Sequence, residues 1–323
     1  MGAVTATDGH FGDDPLRLIF AVCHPARPAG DRAELMLRRF AGLTTAEIAR
    51  GLRVPERAVA SRAGQAERVL NKARFPFGVP VGAERAARLS SVLEAIYLIF
   101  NAGRTAVTAG GTTRPDLCGE ALRLARLLGG LAPAEPEVLG LVALIHLQAA
   151  RLPARTGPGG EPVPLLDQDR SRWSRPLIRR GLAALGRAEA LGGTPGPYAL
   201  LGAIAACHVR AASAADADWV RIVTLHEALS TLTPSPLVEL NRAVALAMAY
   251  GPAAGLALAD ALAAEAALHD SHLLPSLRGD LLAKLGELDA ARREFERAAA
   301  LARDRRERTV LLSRASACGR SPG

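Results

Sequence analysis

Apolar residues recur every three or four positions over most of this chain, which places them on one face of a helix. Two stretches show this clearly: Val92, Leu93, Ile96, Tyr97, Ile99 and Phe100, and then Leu122, Leu124, Leu127, Leu128 and Leu131. No stretch alternates apolar and polar residues as a half-buried strand does. Hydrophobic residues make up 49% of the chain but aromatic residues only 4%, so Leu, Ala and Val must fill the core. The pattern predicts an all-α fold.

Three segments rich in Pro and Gly interrupt this pattern and mark places where helices must end. They are residues 75–80 (FPFGVP), 153–164 (PARTGPGGEPVP) and 192–197 (GGTPGP). Proline lacks the N–H that continues a helix, and glycine loses more backbone freedom on ordering than other residues do. A chain of 323 residues can form two or three domains, and these segments are the candidate boundaries.

The chain carries a formal net charge of +8, almost all of it from arginine, because Lys72 and Lys284 are the only lysines. An excess of positive charge permits nucleic-acid binding. A genome biased toward arginine explains the same excess equally well, so the charge alone does not decide between the two.

The cysteines lie far apart, at Cys23, Cys118, Cys207 and Cys318, and none belongs to a CxxC pair. No zinc site is therefore expected, and we interpret the thiols as small buried hydrophobic groups in a reducing compartment. The first 14 residues lack an apolar signal core, and no run approaches the roughly 18 uninterrupted apolar residues of a membrane helix. We expect a cytoplasmic protein with no membrane association.

Residues 31–74 have the pattern of a helix-turn-helix. After one amphipathic helix, Thr44 and Glu47 have the spacing of a capping box, in which each side chain bonds the backbone N–H of the other residue at the start of a helix. Arg53 and Val54 would form the turn. Pro55 would then open a further helix, at a position where its missing N–H costs nothing.

The helix after Pro55 is predicted to have two different faces. Arg57, Ser61, Gln65, Arg68 and Lys72 lie three or four residues apart on one face, and Val59, Ala63, Ala66 and Leu70 lie on another. A polar, mostly basic face is what the DNA major groove requires, since donors must reach base edges while flanking cations neutralise phosphates. An ordinary helical hairpin with a solvated face fits the same spacing. The candidate DNA-contacting residues are Thr44, Thr45, Arg57, Ser61, Arg62, Gln65, Arg68 and Lys72.

The last third of the chain contains two candidate helical hairpins resembling tetratricopeptide units. In the clearer one, residues 271–302, small and large apolar residues alternate around a turn at Gly286 and Asp289. Residues 235–262 have the same layout, with the turn at residues 250–252. One such unit cannot bury its apolar face alone, so we expect a stack.

The segment LLDQDRSRW concentrates charged and polar residues beside a tryptophan. Two interpretations remain open: a surface for a small molecule or partner peptide with the indole as its apolar floor, or a structural fastening in which Asp169 or Ser171 caps the following helix. The residues concerned are Asp167, Gln168, Asp169, Arg170, Arg172 and Trp173.

No catalytic motif is present at any of the usual spacings. The glycine-rich AGGTT at residues 109–113 lacks the lysine and the preceding strand of a phosphate-binding loop. We interpret the scattered histidines as core or surface residues, namely His24, His146, His208, His226, His269 and His272. No enzymatic reaction, cofactor or metal is expected.

Residues 16–28 (LRLIFAVCHPARP) and 35–70 (LMLRRFAGLTTAEIARGLRVPERAVASRAGQAERVL) resemble region 4 of bacterial extracytoplasmic-function sigma factors. The likeness runs from about Asp14 to Ala302 and is closest to the subgroup with a long C-terminal extension. The extension is matched by LSSVLEAIYLIFNAG, RPDLCGEALRLARLL, PEVLGLVALIHLQAARLPART, LLDQDRSRWSRPLI, DADW and SPLVELNRAVALAMA. The resemblance implies binding to the promoter −35 element and to core RNA polymerase.

Two departures from that family change what we expect. Such factors carry a further helical domain before region 4, which binds the polymerase clamp and melts the −10 element, and here only residues 1–14 precede Pro15. We therefore expect the melting half to be missing. Gln65 and Glu67 also stand where family members usually have basic residues, and Gly64 lies inside the helix, so reduced DNA affinity is expected.

The sequence therefore predicts a sigma-type transcription factor whose helical extension regulates it, through a partner protein or a small molecule. The alternative is a stand-alone ligand- or protein-binding module with a degenerate helix-turn-helix. The predicted organisation is a disordered terminus (1–13), the helix-turn-helix (14–75), a linker (76–88), a helical domain (89–190), tetratricopeptide-like hairpins (191–312) and a disordered tail (313–323).

Overall fold

A computed structural model describes residues 15–24, 27–52, 54–61, 82–105, 115–158, 163–302 and 305–319. Throughout these ranges the regular structure is helical, and no strand is formed. The predicted all-α fold is confirmed. The chain divides into two compact units, the first comprising residues 1–104 and 114–133 and the second residues 105–113 and 134–323.

The first unit contains six helices in its described part. Their cores are built from large apolar side chains such as Phe20, Met36, Ile48 and Phe100, all at most 2% exposed. The helices are α1 (Pro15–Val22), α2 (Ala29–Ala41), α3 (Thr45–Leu52), α4 (described over 56–61), α5 (Gly82–Thr105) and α6 (Pro115–Leu131).

Polar contacts connect α2 with the two long helices of this unit. The buried Arg32 of α2 forms an ion pair with Glu94 of α5, and Arg123 of α6 donates to the carbonyl oxygen of Phe40. Helices α5 and α6 approach so closely that a Cβ at Gly103 would lie 2.9 Å from the backbone nitrogen of Cys118. Glycine at this position therefore permits the packing.

The second unit is a series of helices, each of which packs on its neighbours along the chain. Short 3-10 turns occur at Leu152–Ala154, Leu165–Asp167, Arg170–Arg172, Leu262–Ala264 and Ala266–Leu268. The α-helices are α7 (Pro136–Ala149), α8 (Arg175–Ala190), α9 (Pro197–Arg210), α10 (Trp219–Leu232), α11 (Pro236–Tyr250), α12 (Pro252–Ala261), α13 (Leu273–Lys284), α14 (Leu288–Leu301) and α15 (Arg305–Cys318).

Helix α7 lies at the core of this unit and packs against both α8 and α9. The helical stretch Pro136–Ala154 is long and apolar enough, by length and composition alone, to cross a membrane, but 72% of it is buried inside the fold. Burial in the protein core accounts for that composition without a membrane.

Both predicted helical hairpins of the last third are present. Helices α11 and α12 are joined at Gly251 (φ 96°), and α13 and α14 are joined at Leu285–Glu287, where Gly286 has φ 85°. A positive φ is strained for residues with a Cβ, so both turns require glycine. A Cβ at Gly279 would lie 2.8 Å from the Phe295 ring, which shows how closely the second pair packs. Assignment to the tetratricopeptide class stays a prediction.

The structure differs from the predicted organisation at several boundaries. Residues 82–88, expected in a linker, are the first turns of α5, and residues 313–318, expected in a disordered tail, belong to α15. The two units divide at residue 133, within the predicted domain 89–190. Residues 1–13, 76–81 and the AGGTT loop lie outside the described residues.

The cysteines form no disulfide; Cys23, Cys118 and Cys207 are buried, as predicted, and Cys318 is half-buried. Burial raises the pKa of the Cys23 thiol to about 12, an effect that the nearby charges of Arg32 and Arg27 oppose. Cys23 therefore remains a neutral thiol at physiological pH and behaves as a small core residue.

Candidate functional site

The first candidate site lies where α2, α3 and α4 follow one another. The predicted capping box is confirmed: the backbone N–H of Thr44 donates to Glu47 Oε2 at 2.7 Å, and the N–H of Glu47 donates to Thr44 Oγ1 at 3.3 Å. The Thr44 hydroxyl also donates to Glu47 Oε2 at 2.7 Å. This arrangement satisfies donors that the first turn of α3 would otherwise leave without partners.

Helix α3 is also attached to α2 through a side chain. Arg38 of α2 donates from Nη2 to Thr45 Oγ1 at 2.6 Å. The hydroxyl groups of Thr44 and Thr45, both candidate DNA contacts, therefore take part in bonds that hold the start of α3. Gly42, with φ 65°, ends α2 and lets the chain turn into the cap.

Helix α4 begins one residue later than the sequence predicts. The carbonyl oxygen of Pro55 accepts from the N–H groups of Ala58 and Val59 at 2.9 and 3.3 Å, so the proline is the N-cap rather than the first helical residue. Val59 is 1% exposed, whereas Arg57 and Ser61 are exposed. The predicted division into a buried and a polar face is therefore confirmed over the described residues. The candidates Arg62, Gln65, Arg68 and Lys72 lie outside them.

The second candidate site is the segment Asp167 to Trp173 in the second unit. Asp169 caps the turn Arg170–Arg172, because its Oδ1 accepts from the N–H of Ser171 at 2.9 Å and from its hydroxyl at 2.7 Å. These two bonds lower the pKa of the Asp169 carboxyl. The interpretation of Asp169 as a cap is thereby supported, although it caps a 3-10 turn rather than α8.

Arg170 and Trp173 fasten this segment to the end of α9. Arg170 Nη1 donates to the carbonyl oxygens of His208 and Ala211 at 2.6 and 3.0 Å, and its guanidinium lies 4.5 Å from the centroid of the Trp173 ring. Trp173 is 4% exposed. Partial burial lowers the pKa of Arg170, and the charge of Asp216 opposes that shift. Arg172, by contrast, is exposed and donates to the carbonyl oxygen of Thr156 at 3.3 Å.

The remaining two residues of the segment face a different part of the unit. Gln168 is buried and donates from Nε2 to the carbonyl oxygen of Val163 at 3.2 Å, whereas Asp167 is exposed. Both line a cavity of about 530 Å³ together with His272, which precedes α13, and with Glu307 and Arg314 of α15. The predicted surface therefore has two parts: Asp169, Arg170 and Trp173 hold the segment to the fold, and Asp167 and Gln168 line the cavity.

Two buried histidines lie near the fastening. His208 contacts the Trp219 ring edge-on, with the ring centroids 5.3 Å apart. Burial lowers the pKa of His208 to about 4, and the charges of Arg151 and Arg170 contribute to the shift. Burial likewise lowers the pKa of His226 to about 4, against the opposing charge of Glu239. Both side chains are therefore neutral core residues at physiological pH, as the sequence indicated.

Sequence reasoning missed the contacts that join distant segments here. Glu137, in the first turn of α7, accepts from the N–H groups of Tyr198 and Ala199 at 2.9 Å each and so caps α9. Residues 61 and 62 positions apart carry no local spacing signal. Among the described residues, no three His, Cys, Asp or Glu side chains are grouped so that they could hold a metal ion.

Comparison with known proteins identifies a matching family model and a bacterial relative. Residues 88–189, which include α6, α7 and the Asp167 to Trp173 segment, match a family model described as a family of unknown function (DUF6596). The chain is 44% identical over 302 residues to the uncharacterized protein R00370 of Rhizobium meliloti (strain 1021), an alignment covering 94% of this chain and 71% of that protein. The chain belongs to the family of this rhizobial protein. No solved structure matches.

Proposed function

We propose that this member of the family is a transcription factor of the sigma type, which binds promoter DNA at the −35 element and core RNA polymerase through its first unit. The observation that supports the proposal is the sequence of a capped helix, a short turn and a second helix that exposes Arg57 and Ser61 while burying Val59. This is the arrangement in which a recognition helix presents donors to the major groove.

In this proposal some residues position the helices and others contact the DNA. The capping box and the bond from Arg38 to Thr45 hold α3 in position, so that α4 has a fixed direction. Arg57 lies in the first turn of α4, and the first turns of a recognition helix are those that contact base edges and phosphates. The sigma-factor resemblance is the basis for including four further residues as DNA contacts: Arg62, Gln65, Arg68 and Lys72.

We further propose that the second unit regulates this binding and that the protein acts in the cytoplasm, without a cofactor and without catalysing a reaction. A series of helices, each packed on the next, provides extended surfaces suited to partner proteins. The alternative, a stand-alone binding module with a degenerate helix-turn-helix, is favoured by one observation: the second unit contains the cavity of about 530 Å³ beside Asp167 and Gln168.

DNA binding by the whole chain tests the proposal. Fluorescence anisotropy with a labelled duplex at low salt should show binding that weakens steeply as salt rises, because the arginines displace counterions from phosphates. Arg57→Gln should weaken binding several-fold. Arg187→Gln removes the same charge from an exposed position of α8 and should leave the affinity unchanged. Failure of the wild type to bind at low salt would favour the binding-module alternative.

A further inference from the structure

A second cavity of the second unit, of about 340 Å³, lies beside the fastened segment and differs from the larger one in its charge. Its polar lining comes from Trp173 and from three arginines, Arg170, Arg175 and Arg210, and its apolar lining includes Ile178 and Val209. The lining contains no carboxylate. Three guanidinium groups around so small a volume create a strongly positive site that a bound anion would neutralise.

The larger cavity beside Asp167 does not have this imbalance, because its walls supply both signs of charge. His272 Nε2 lies 3.7 Å from Glu307 Oε2, and Arg314 forms an ion pair with Asp280 at 2.8 Å. Charges that already compensate one another leave little attraction for a further ion. The smaller cavity is therefore the better candidate for a charged ligand.

The two arginines at the rim of the smaller cavity are available to a ligand. Arg175 is the first residue of α8 and Arg210 the last residue of α9, and both are exposed. Neither guanidinium group forms a hydrogen bond or ion pair with another residue in the described part of the chain. Arg170 differs, since it bonds the carbonyl oxygens of His208 and Ala211 and so occupies the negative end of α9.

Helix α8 adds to the positive field at the same place. Its N-terminus lies at Arg175, and no side chain caps it. Backbone N–H groups and the helix dipole at such an end favour anions. Asp216 is the carboxylate that acts on Arg170, but it is outside the lining and accepts from the N–H of Ser213 at 3.0 Å.

Trp173 belongs to the lining but offers little surface to a ligand, because it is 4% exposed and the Arg170 guanidinium covers its ring. Trp173 Nε1 is buried and has no hydrogen-bond partner within the described structure. That N–H is not accessible to a ligand, so the donors of the site are the guanidinium groups and the backbone N–H groups at the start of α8.

We propose that this cavity binds a small organic anion, a phosphate monoester or carboxylate whose charged group pairs with Arg175 and Arg210 and whose apolar body lies beside Ile178 and Val209. Bidentate pairing of guanidinium with oxyanions sets the orientation of the ligand. The volume suits a ligand at the small end of the range for binding pockets. The proposal does not depend on DNA binding by the first unit.

Titration of the whole chain with phenyl phosphate tests this site. Isothermal calorimetry should show saturable binding with one molecule per chain, accompanied by a change in tryptophan fluorescence. Arg175→Gln and Arg210→Gln should each weaken binding about tenfold or more, the loss of roughly one charge-assisted hydrogen bond. Arg187→Gln, on α8 but outside the cavity, should bind as the wild type does, and neutral benzyl alcohol should not bind.

Three results would overturn the proposal. The first is a wild type that does not saturate, and the second is equal binding by all three arginine variants, which would show adsorption to the basic surface. The third is that phenyl phosphate does not bind while a short DNA duplex does, with an affinity that depends on Arg175 and Arg210. The site would then be a nucleic-acid surface. Unchanged melting temperatures of Arg175→Gln and Arg210→Gln would establish that any loss of binding is local.

Discussion

Trp173 shows how one side chain can serve both the fold and a binding surface. Its ring is buried under the Arg170 guanidinium, with Arg151 5.8 Å from the ring centroid on the same indole. The residue is nevertheless part of the lining of the smaller cavity. Of the two interpretations open from sequence, the contacts of Arg170, Asp169 and Trp173 support the structural one for this part of the segment.

Replacement of Trp173 by alanine should destabilise the second unit by about 3 to 5 kcal/mol, because it removes a large buried ring together with its cation–π contact. Trp173→Phe should recover most of that loss. Urea denaturation followed by circular dichroism measures the difference. An unchanged denaturation midpoint for the alanine variant would exclude the structural role of this side chain.

Thr44→Ala should weaken the start of α3 by about 1 kcal/mol, since the capping box then loses its side-chain acceptor for the Glu47 N–H. Thr44→Ser keeps the hydroxyl and should behave as the wild type. Amide hydrogen exchange measures the local stability of the cap. The Glu47 N–H should exchange faster in the alanine variant only. Equal exchange rates in all three proteins would show that the cap contributes nothing.

At the scale of helices, α7 and α9 of the second unit approach each other closely at Gly140. A Cβ at Gly140 would lie 2.5 Å from the backbone nitrogen of Ala199, and the carboxylate of Glu137 on α7 caps α9. Close backbone contact and capping occur side by side. In the sequence PEVLG, Gly140 is therefore required by the close packing of α7 on α9, whereas Glu137 is required to cap α9.

Gly140→Ala should destabilise the second unit by about 1 to 3 kcal/mol, because backbone atoms of α9 must move to admit the methyl group. Gly186→Ala is the matched control. Its Cβ would meet nothing within 4 Å, so the substitution should be neutral or stabilise α8 by up to about 1 kcal/mol. Thermal melting of both variants compares them, and a tolerated Gly140→Ala would refute the close approach.

The buried histidines predict a dependence of stability on pH. Their pKa values are about 4 in the folded protein and near 6.5 when unfolded, so the unfolded state binds more protons between those values. Stability should therefore fall as the pH drops from 6.5 toward 4, by up to about 3 kcal/mol for each histidine. His208→Gln should flatten the decrease in melting temperature between pH 7 and pH 5. An unchanged slope would contradict this.

Whether a structural feature could be predicted from the sequence depends on how far apart in the chain the interacting residues lie. The Thr44 and Glu47 capping box and the turns at Gly251 and Gly286 are local, and residue spacing predicts them. Arg170 bonding the carbonyl of His208, 38 positions away, depends on tertiary packing that no spacing reveals. The cavity with Arg175 and Arg210 was missed for the same reason, because it forms only where the ends of α8 and α9 meet.

At the scale of the whole molecule, the two proposed binding functions belong to different compact units. The first unit carries the helix pair proposed to bind DNA and polymerase, and the second carries the two cavities. The matched family model spans parts of both, from residue 88 to residue 189. A ligand of the second unit would regulate the first only through differential affinity for two states of the protein.

Binding to core RNA polymerase tests the sigma-type function most directly, because generic DNA-binding proteins do not share it. The purified chain is mixed with core polymerase of Rhizobium meliloti, the organism of the relative, and resolved by size-exclusion chromatography. We predict that the chain co-elutes with the core enzyme in a one-to-one complex, and that an established sigma factor displaces it. Elution of the chain entirely apart from the core enzyme at micromolar concentrations would contradict the proposed function.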